Sequence, residues 1–385
     1  MKRSSIFDRL HQRAQPCESA VETTLRRTDY DPDCLRLIDG VALTAAGLIC
    51  AGSIPDEHTP ELSSSLCGPD GFQLLVHQVA DVAPLHAPRL QRCEYKALRV
   101  HELIQTLLTE ALVMLEALPE DAFFDVIVTS PLKSPEAIDI VLASLRGAID
   151  ETRYASVLGA LRHEGGGDPH ASLTVGNDGG MPYVLWISAD SLLNAEDATS
   201  LQHHRASGRT AKGAGLCPGE AVASLLIQRC LPEVQDAMAG WCVEKGLTTE
   251  HQARSSRRDH AKRQTLLEHL SQAWPLPAES PPTLESGAPS HVVIDAMGLP
   301  GRAVEVGSAV IERWPEIDMI EDGVGIDQLC GWPGEALSAL SWVLALAPLS
   351  PSDSALIIGV APETVSRTWI LRSCAAEHEQ VAHHS

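Results

Sequence analysis

Gly213-Ala214-Gly215-Leu216-Cys217-Pro218-Gly219-Glu220 leads without a break into Ala221-Val222-Ala223-Ser224-Leu225-Leu226-Ile227. Glycine and proline punctuate a turn, and the small and aliphatic residues after it read as a strand. A continuous apolar run of this kind suits a layered α/β sheet, in which aliphatic strands sit between helices. Glu220 stands alone as an acid at the mouth of that strand. There its carboxylate can accept backbone N–H groups and hold two loops together, a structural role favoured over catalysis.

A chain of 385 residues can bury a large core and divides into two or more domains, or forms one pseudo-duplicated unit. Apolar residues make up 44% and charged residues 21%, which argues against wholesale disorder. Aromatics are only 4%, so the core rests on Leu, Val, Ile and Ala. The formal charge of −22 repels phosphate backbones and anionic membranes. Nucleic acid and membrane surfaces are therefore excluded as expected partners, leaving solubility or a basic or polar protein partner. The ten cysteines are scattered and form no C-x-x-C pair, so they read as reduced thiols, several in apolar runs. Met1–Gln15 carries no apolar signal core, and Ala336–Leu349 is too short to span a bilayer. Cytoplasmic residence is the expectation, and no metal or cofactor is called.

The pattern along the chain suggests five regions: a polar extension (1–37), a first half (38–230), a connector with a basic helix and a Pro/Ser linker (231–289), a second half (290–376) and a tail (377–385). Val41–Cys50 reads as one buried strand, and the prolines of 53–92 signal mostly loop. A long amphipathic helix is predicted over Glu94–Leu118, a strand over Phe123–Thr129, and a helix capped by Ser134 to about Ile149. His163–Gly180 reads as loop, Tyr183–Ser188 as strand and Ala195–His204 as a short helix. The last quarter alternates: strand His291–Asp295, helix Gly301–Arg313, strand Ile317–Ile320, helix Gly334–Ala347, strands Ala355–Val360 and Ser366–Leu371. Such alternation implies a mainly parallel sheet with crossover helices. The 334–347 helix is apolar nearly all round, as a helix buried between layers must be.

Segments in both halves, in order, resemble the β-ketoacyl synthases, the condensing branch of the thiolase superfamily. Tyr183–Leu193, with Asp190 and Ser191, looks like the family's apolar strand followed by D-S-hydrophobic. About thirty residues on, Gly215–Ala221 matches the G-hydrophobic-x-P-G-E-A segment through Pro218, Gly219 and Glu220. In the C-terminal half, Val293–Gly298 with Arg302–Glu305 resembles D-x-N-G-E…R-A-x-E through Asp295 and Gly298. Cys330–Ala336, with Gly331 and Gly334, sits where G-H-x-x-G-A-A opens the buried helix. The resemblance implies an αβαβα layered fold of two pseudo-equivalent βαβαβαββ halves. It also implies pairing as a homodimer or with a related chain, and a possible acyl or pantetheine ligand.

The family's chemistry needs a cysteine at the head of a buried helix, tens of residues before Asp190, and two histidines. No cysteine lies between Cys93 and Cys217. Asp295-Ala296-Met297-Gly298 offers no imidazole, and the position three before Gly334 is Gly331. The resemblance thus implies a degenerate synthase-like protein, working as an adaptor, assembly or regulatory partner, for instance of a synthase or around type VI secretion. The alternative is an acyl-transferring enzyme with a non-standard nucleophile, for which Cys217 is the first candidate. His163, Glu164, Asp168 and His170 could wrap a cation, although solvated loop residues are the commoner meaning. Arg254, Arg257, Arg258, Lys262 and Arg263 could dock an acidic partner, or simply solvate a connector helix.

Overall fold

The computed structural model describes residues 30–68, 71–174, 180–203, 215–231, 240–275 and 287–374. Most of the expected 1–37 extension, residues 232–239 and 276–286 of the expected 231–289 connector, and the 377–385 tail lie outside them. In chain order the first part contains β1 (Cys34–Thr44), β2 (Gly47–Ile49), β3 (Glu61–Cys67), β4 (Gln73–Val76), α1 (Pro88–Cys93) and α2 (Ala97–Val113). Then come β5 (Phe124–Thr129), α3 (Pro135–Asp150), β6 (Leu158–Glu164), α4 (Pro169–Thr174), β7 (Tyr183–Ser191), α5 (Ala195–His203) and β8 (Glu220–Arg229). The second part holds β9 (Trp241–Glu244), β10 (Leu247–Glu250), α6 (Asp259–Ala273), β11 (His291–Ile294) and α7 (Arg302–Arg313). It closes with β12 (Gly323–Gly325), α8 (Ile326–Cys330), α9 (Leu337–Leu346), β13 (Ser354–Gly359) and β14 (Val365–Ser373).

Two halves repeat one topology. In the first, β6-β5-β7-β8-β1 run side by side, which is third, second, fourth, fifth and first in chain order once the β2 and β3–β4 hairpins are set aside. In the second, β12-β11-β13-β14 with β10 beyond β14 repeats that order. The strand directions repeat too: β5 is parallel to β6 and β7, while β8 runs antiparallel to β7 and β1. Likewise β11 is parallel to β12 and β13, while β14 runs antiparallel to β13 and β10. The short β9 pairs with β1 on one side and β14 on the other, sewing the halves together.

Period-two alternation explains the layers. On β7, Val184 and Trp186 face the core that contains α9, while Leu185, Ile187 and Ala189 face the core built on α2 and α3. On β13, Ala355 and Ile357 join the α9 core, and Leu356 and Ile358 pack with α6 and α7. Helix α9, with Leu340, Trp342, Val343 and Leu344 all buried, therefore sits between the two halves of the main sheet. The result is helix, sheet, helix, sheet, helix: the thiolase-like layered α/β fold. Ser134 caps α3 by accepting the Ala137 N–H at 3.4 Å, as expected.

Several expectations need correction. Val41–Cys50 is not one strand, because β1 turns at Gly47, whose φ of 131° favours glycine, and returns as β2. Residues 53–92 contain the β3–β4 hairpin and α1, and 163–180 contains the end of β6 and the short α4. The connector is no linker over most of its described length. Its β9 joins the main sheet, and β10 with α6 forms the opening β-α unit of the second half. Ile317–Ile320 is a turn, held where Asp318 Oδ1 accepts the Ile320 N–H at 2.9 Å, and the strand comes later as β12. Among the described residues no helix is long and apolar enough to cross a membrane.

Candidate functional site

Glu220 is the fully buried acid at the start of β8. Its Oε2 accepts Ser191 Oγ at 2.7 Å and Arg99 Nε at 3.0 Å, and its Oε1 accepts Arg99 Nη2 at 2.5 Å and the Val79 N–H at 2.9 Å. Every lone-pair direction of that carboxylate is thus used by the protein, so it has no free proton-transfer role. These bonds tie the Val79 segment, α2 and the end of β7 to the start of β8.

Asp190, near the end of β7, makes the adjoining knot. Lys96 Nζ donates to Oδ1 at 2.9 Å, and the Glu335 N–H donates to Oδ2 at 2.9 Å across from the second half. Lys96 also reaches Asp197 at 2.8 Å. Gly334 passes so close that a Cβ there would meet Asp190 Oδ2 at 2.1 Å, and its φ is +57°. The loops bearing Pro218–Gly219 and Gly331–Gly334 interlock: the Gly219 N–H donates to Trp332 O at 3.2 Å and the Trp332 N–H to Cys217 O at 2.8 Å. Gly298 joins the same junction, accepting the Gly215 N–H at 2.7 Å. The sequence motifs named for the resemblance therefore converge on one junction between the halves. Sequence reasoning missed Lys96 and Arg99. The signal was two cations at the start of an amphipathic helix, against its dipole.

Asp295, past the end of β11, accepts the Val360 N–H at 2.8 Å and the Ala361 N–H at 3.0 Å. Burial pushes its carboxyl up to about 6. It borders an apolar cavity of about 370 Å³ between α9 and β13–β14, lined by Leu216, Trp332, Leu337, Ile357 and Trp369, with Arg367 at its rim. Next to it, sharing Leu216, lies a cleft of about 480 Å³ that holds His58, His77, Cys217 and Asp327. His58 and His77 meet Nδ1 to Nδ1 at 3.1 Å. Burial, then His58, lower His77 to about 4, so its ring is neutral. Burial, then Asp327, push the Cys217 thiol up, opposite to what a nucleophile needs. Asp327 accepts the Met297 and Gly298 N–H groups at 3.0 and 2.6 Å.

The connection from β6 to α4 in the middle layer is Gly165-Gly166-Gly167-Asp168. It encloses, with Thr129, Trp186, Glu335 and Ser338, a void of only about 20 Å³, room for about one water. A Cβ on Gly166 would meet Glu335 Oε2 at 1.6 Å, so the loop lies flat on that carboxylate.

The remaining candidates are spent elsewhere. His163 Nε2 pairs with Ser130 Oγ at 2.9 Å, Glu164 with Arg162 at 2.7 Å, and Asp168 accepts the His170 N–H at 3.1 Å. No group of three or more His, Cys, Asp or Glu among the described residues is placed to hold a metal. Arg254 leaves the basic cluster altogether: it is buried, donates to Glu305 at 3.0 Å and to Val365 O at 2.9 Å, and also binds Pro362 and Ser366. Arg257 turns to Thr265, Lys262 to Asp259 at 3.2 Å and Arg263 to Glu312 at 3.2 Å. Charge alone hid the difference between a buried arginine and a surface one. The cysteines are corrected as well, since Cys242 and Cys374 are joined as a disulfide.

This fold is that of the thiolase-superfamily condensing enzymes. The chain is similar to a β-ketoacyl synthase from Burkholderia phymatum STM815, at 13% identity over 88% of this chain and 99% of that one, with a TM-score of 0.51. AbyA1, a tetronic acid condensing enzyme, gives 12% identity over 88% and 99% with a TM-score of 0.43. Xanthomonas campestris OleA with acetamide bound gives 13% over 71% and 81% with 0.42. At these identities the likeness speaks to fold alone. No protein-family profile matches the chain, and no curated protein does.

Proposed function

We propose that this chain is a condensing-enzyme scaffold without condensing chemistry, acting as a non-catalytic adaptor, assembly or regulatory partner of another protein. One observation carries the reading. Where a condensing enzyme needs a thiol at the head of an inner-layer helix, this chain lays Gly165–Gly167 flat against Glu335 around a void of about 20 Å³. Neither a nucleophile nor a substrate thioester fits there. The neighbouring motif segments carry Met297 and Gly331, which offer no imidazole for proton transfer. The partner is a second chain of the same fold, an active synthase being the first choice. The apolar cavity beside Asp295 makes an acyl or pantetheine group the fitting ligand class.

The test is intact-mass measurement after incubation with acyl-pantetheine thioesters, together with native pull-down. An unmodified mass and a stoichiometric second chain support the proposal; turnover of the thioester overturns it. A second reading is favoured by a separate observation: Cys217 shares its cleft with His58, His77 and Asp327. In that reading Cys217 is the acyl-accepting nucleophile, and an adduct lost in Cys217→Ser is its signature.

A further inference from the structure

Four sulfurs gather at the seam where β9 joins the halves. Cys34 opens β1, Cys230 follows β8, Cys242 lies on β9 and Cys374 follows β14. The Cys242–Cys374 disulfide spans Cα atoms 5.8 Å apart. Cys34 Sγ lies 3.8 Å from Cys242 Sγ and 3.5 Å from Cys230 Sγ. All four residues are half-buried, which admits a small thiol and shields them from larger reagents. They sit 34, 230, 242 and 374 in the chain, so only the fold brings them together.

We propose that Cys34, Cys230, Cys242 and Cys374 form a thiol–disulfide relay, served by a low-molecular-weight thiol–disulfide couple such as glutathione, that moves a covalent staple across the seam. In the first step Cys34 releases its proton to solvent and its thiolate attacks Cys242 Sγ. The Cys34–Cys242 bond forms as Cys242–Cys374 breaks, and Cys374 leaves as a thiolate that takes up a proton. In the second step Cys230 attacks Cys34 in the same manner, Cys34–Cys230 forms, and Cys242 is released as the thiol. Neither step changes the total of oxidised sulfur. Entry from the fully reduced state needs one molecule of glutathione disulfide, which accepts two electrons and leaves as two molecules of glutathione.

The staple's position has a structural meaning. Cys242–Cys374 ties β9 to the last strand of the second half, whereas Cys34–Cys242 ties β9 to the first strand of the first half. Hydrogen bonding to Cys230, then burial, push the Cys34 thiol up, so it rests protonated and exchange is slow.

The full chain is equilibrated in glutathione buffers from fully reduced to fully oxidised, quenched with N-ethylmaleimide, and mapped as non-reduced peptides. Wild type is expected to yield Cys242–Cys374 together with Cys34–Cys242 or Cys34–Cys230. In Cys374→Ser, Cys34–Cys242 rises at least tenfold over wild type; should that variant not fold by circular dichroism, the wild-type map decides alone. Alkylated Cys34 and Cys230 at every buffer ratio overturn the relay. So does one retained metal ion per chain that protects all four sulfurs from the reagent.

Discussion

Arg99 grips Glu220 with two prongs, Nε to Oε2 at 3.0 Å and Nη2 to Oε1 at 2.5 Å, and uses the same Nη2 to hold Val79 O at 2.8 Å. Helix α2, the strand β8 and the loop before α1 are fastened at one point.

Removing the acid strands several donors at once. Glu220→Ala leaves the guanidinium, the Ser191 hydroxyl and the Val79 N–H without their acceptor. The loss is expected to be about 3–5 kcal/mol, the range for breaking a buried pair from one side. Urea unfolding of wild type and variant measures it. A change below about 1 kcal/mol would mean that water replaces the carboxylate, contrary to its complete burial.

Gly334→Ala tests the contact between the halves. The new methyl group would lie 2.1 Å from Asp190 Oδ2, at a φ of +57° that disfavours any side chain. Strain and displacement of Asp190 are together expected to cost about 1–3 kcal/mol. Adding Asp190→Ala should be clearly non-additive, because both changes disturb the Glu335 N–H that Asp190 accepts. Additive effects in the double-mutant cycle would separate the two residues.

Asp295 sets a pH dependence with a definite sign. Its folded value of about 6 lies above the ordinary 3.8, because burial disfavours the charged form more than the Val360 and Ala361 N–H groups favour it. The protonated acid is therefore preferred by the folded state. Its contribution is fully present below about pH 3.8, is lost as pH rises to about 6, and is flat above. The gap corresponds to at most about 3 kcal/mol. Wild type should lose stability relative to Asp295→Asn between pH 4 and pH 6 in denaturant unfolding. A difference independent of pH across that window would refute the assignment.

What could be read from the chain follows from the range of the interactions. Strand β7 announces itself because alternate residues feed two different cores, and Ser134 announces α3 because a cap is local. By contrast the convergence of Asp190, Gly219, Gly331 and Gly334 was not legible, because it is made by contacts between segments more than a hundred residues apart. Strands β9 and β10 are four residues each, too short for a periodic signal. The fates of Arg254 and of the His58–His77 pair depend on partners far off in sequence. So does the Cys242–Cys374 bond, which closes a separation of 132 residues that no spacing rule anticipates.

The cavity beside Asp295 invites a ligand test. At about 370 Å³ it falls near the lower end of small-molecule sites, with aliphatic and tryptophan walls and Arg367 at the rim. An alkyl carboxylate such as dodecanoate can bury its chain against Trp332 and Ile357 and turn its charge toward Arg367. At a hundred times its Kd it should stabilise wild type by about 2.7 kcal/mol, seen as a rise in Tm. Ser341→Phe projects from α9 into the same space, where Ser341 now donates only to Ser338 O at 2.8 Å. The folded variant should show no ligand-dependent rise, while Arg367→Gln should keep the response to a neutral alkyl alcohol and lose most of that to the carboxylate. Equal shifts in wild type and Ser341→Phe would place the ligand outside this cavity.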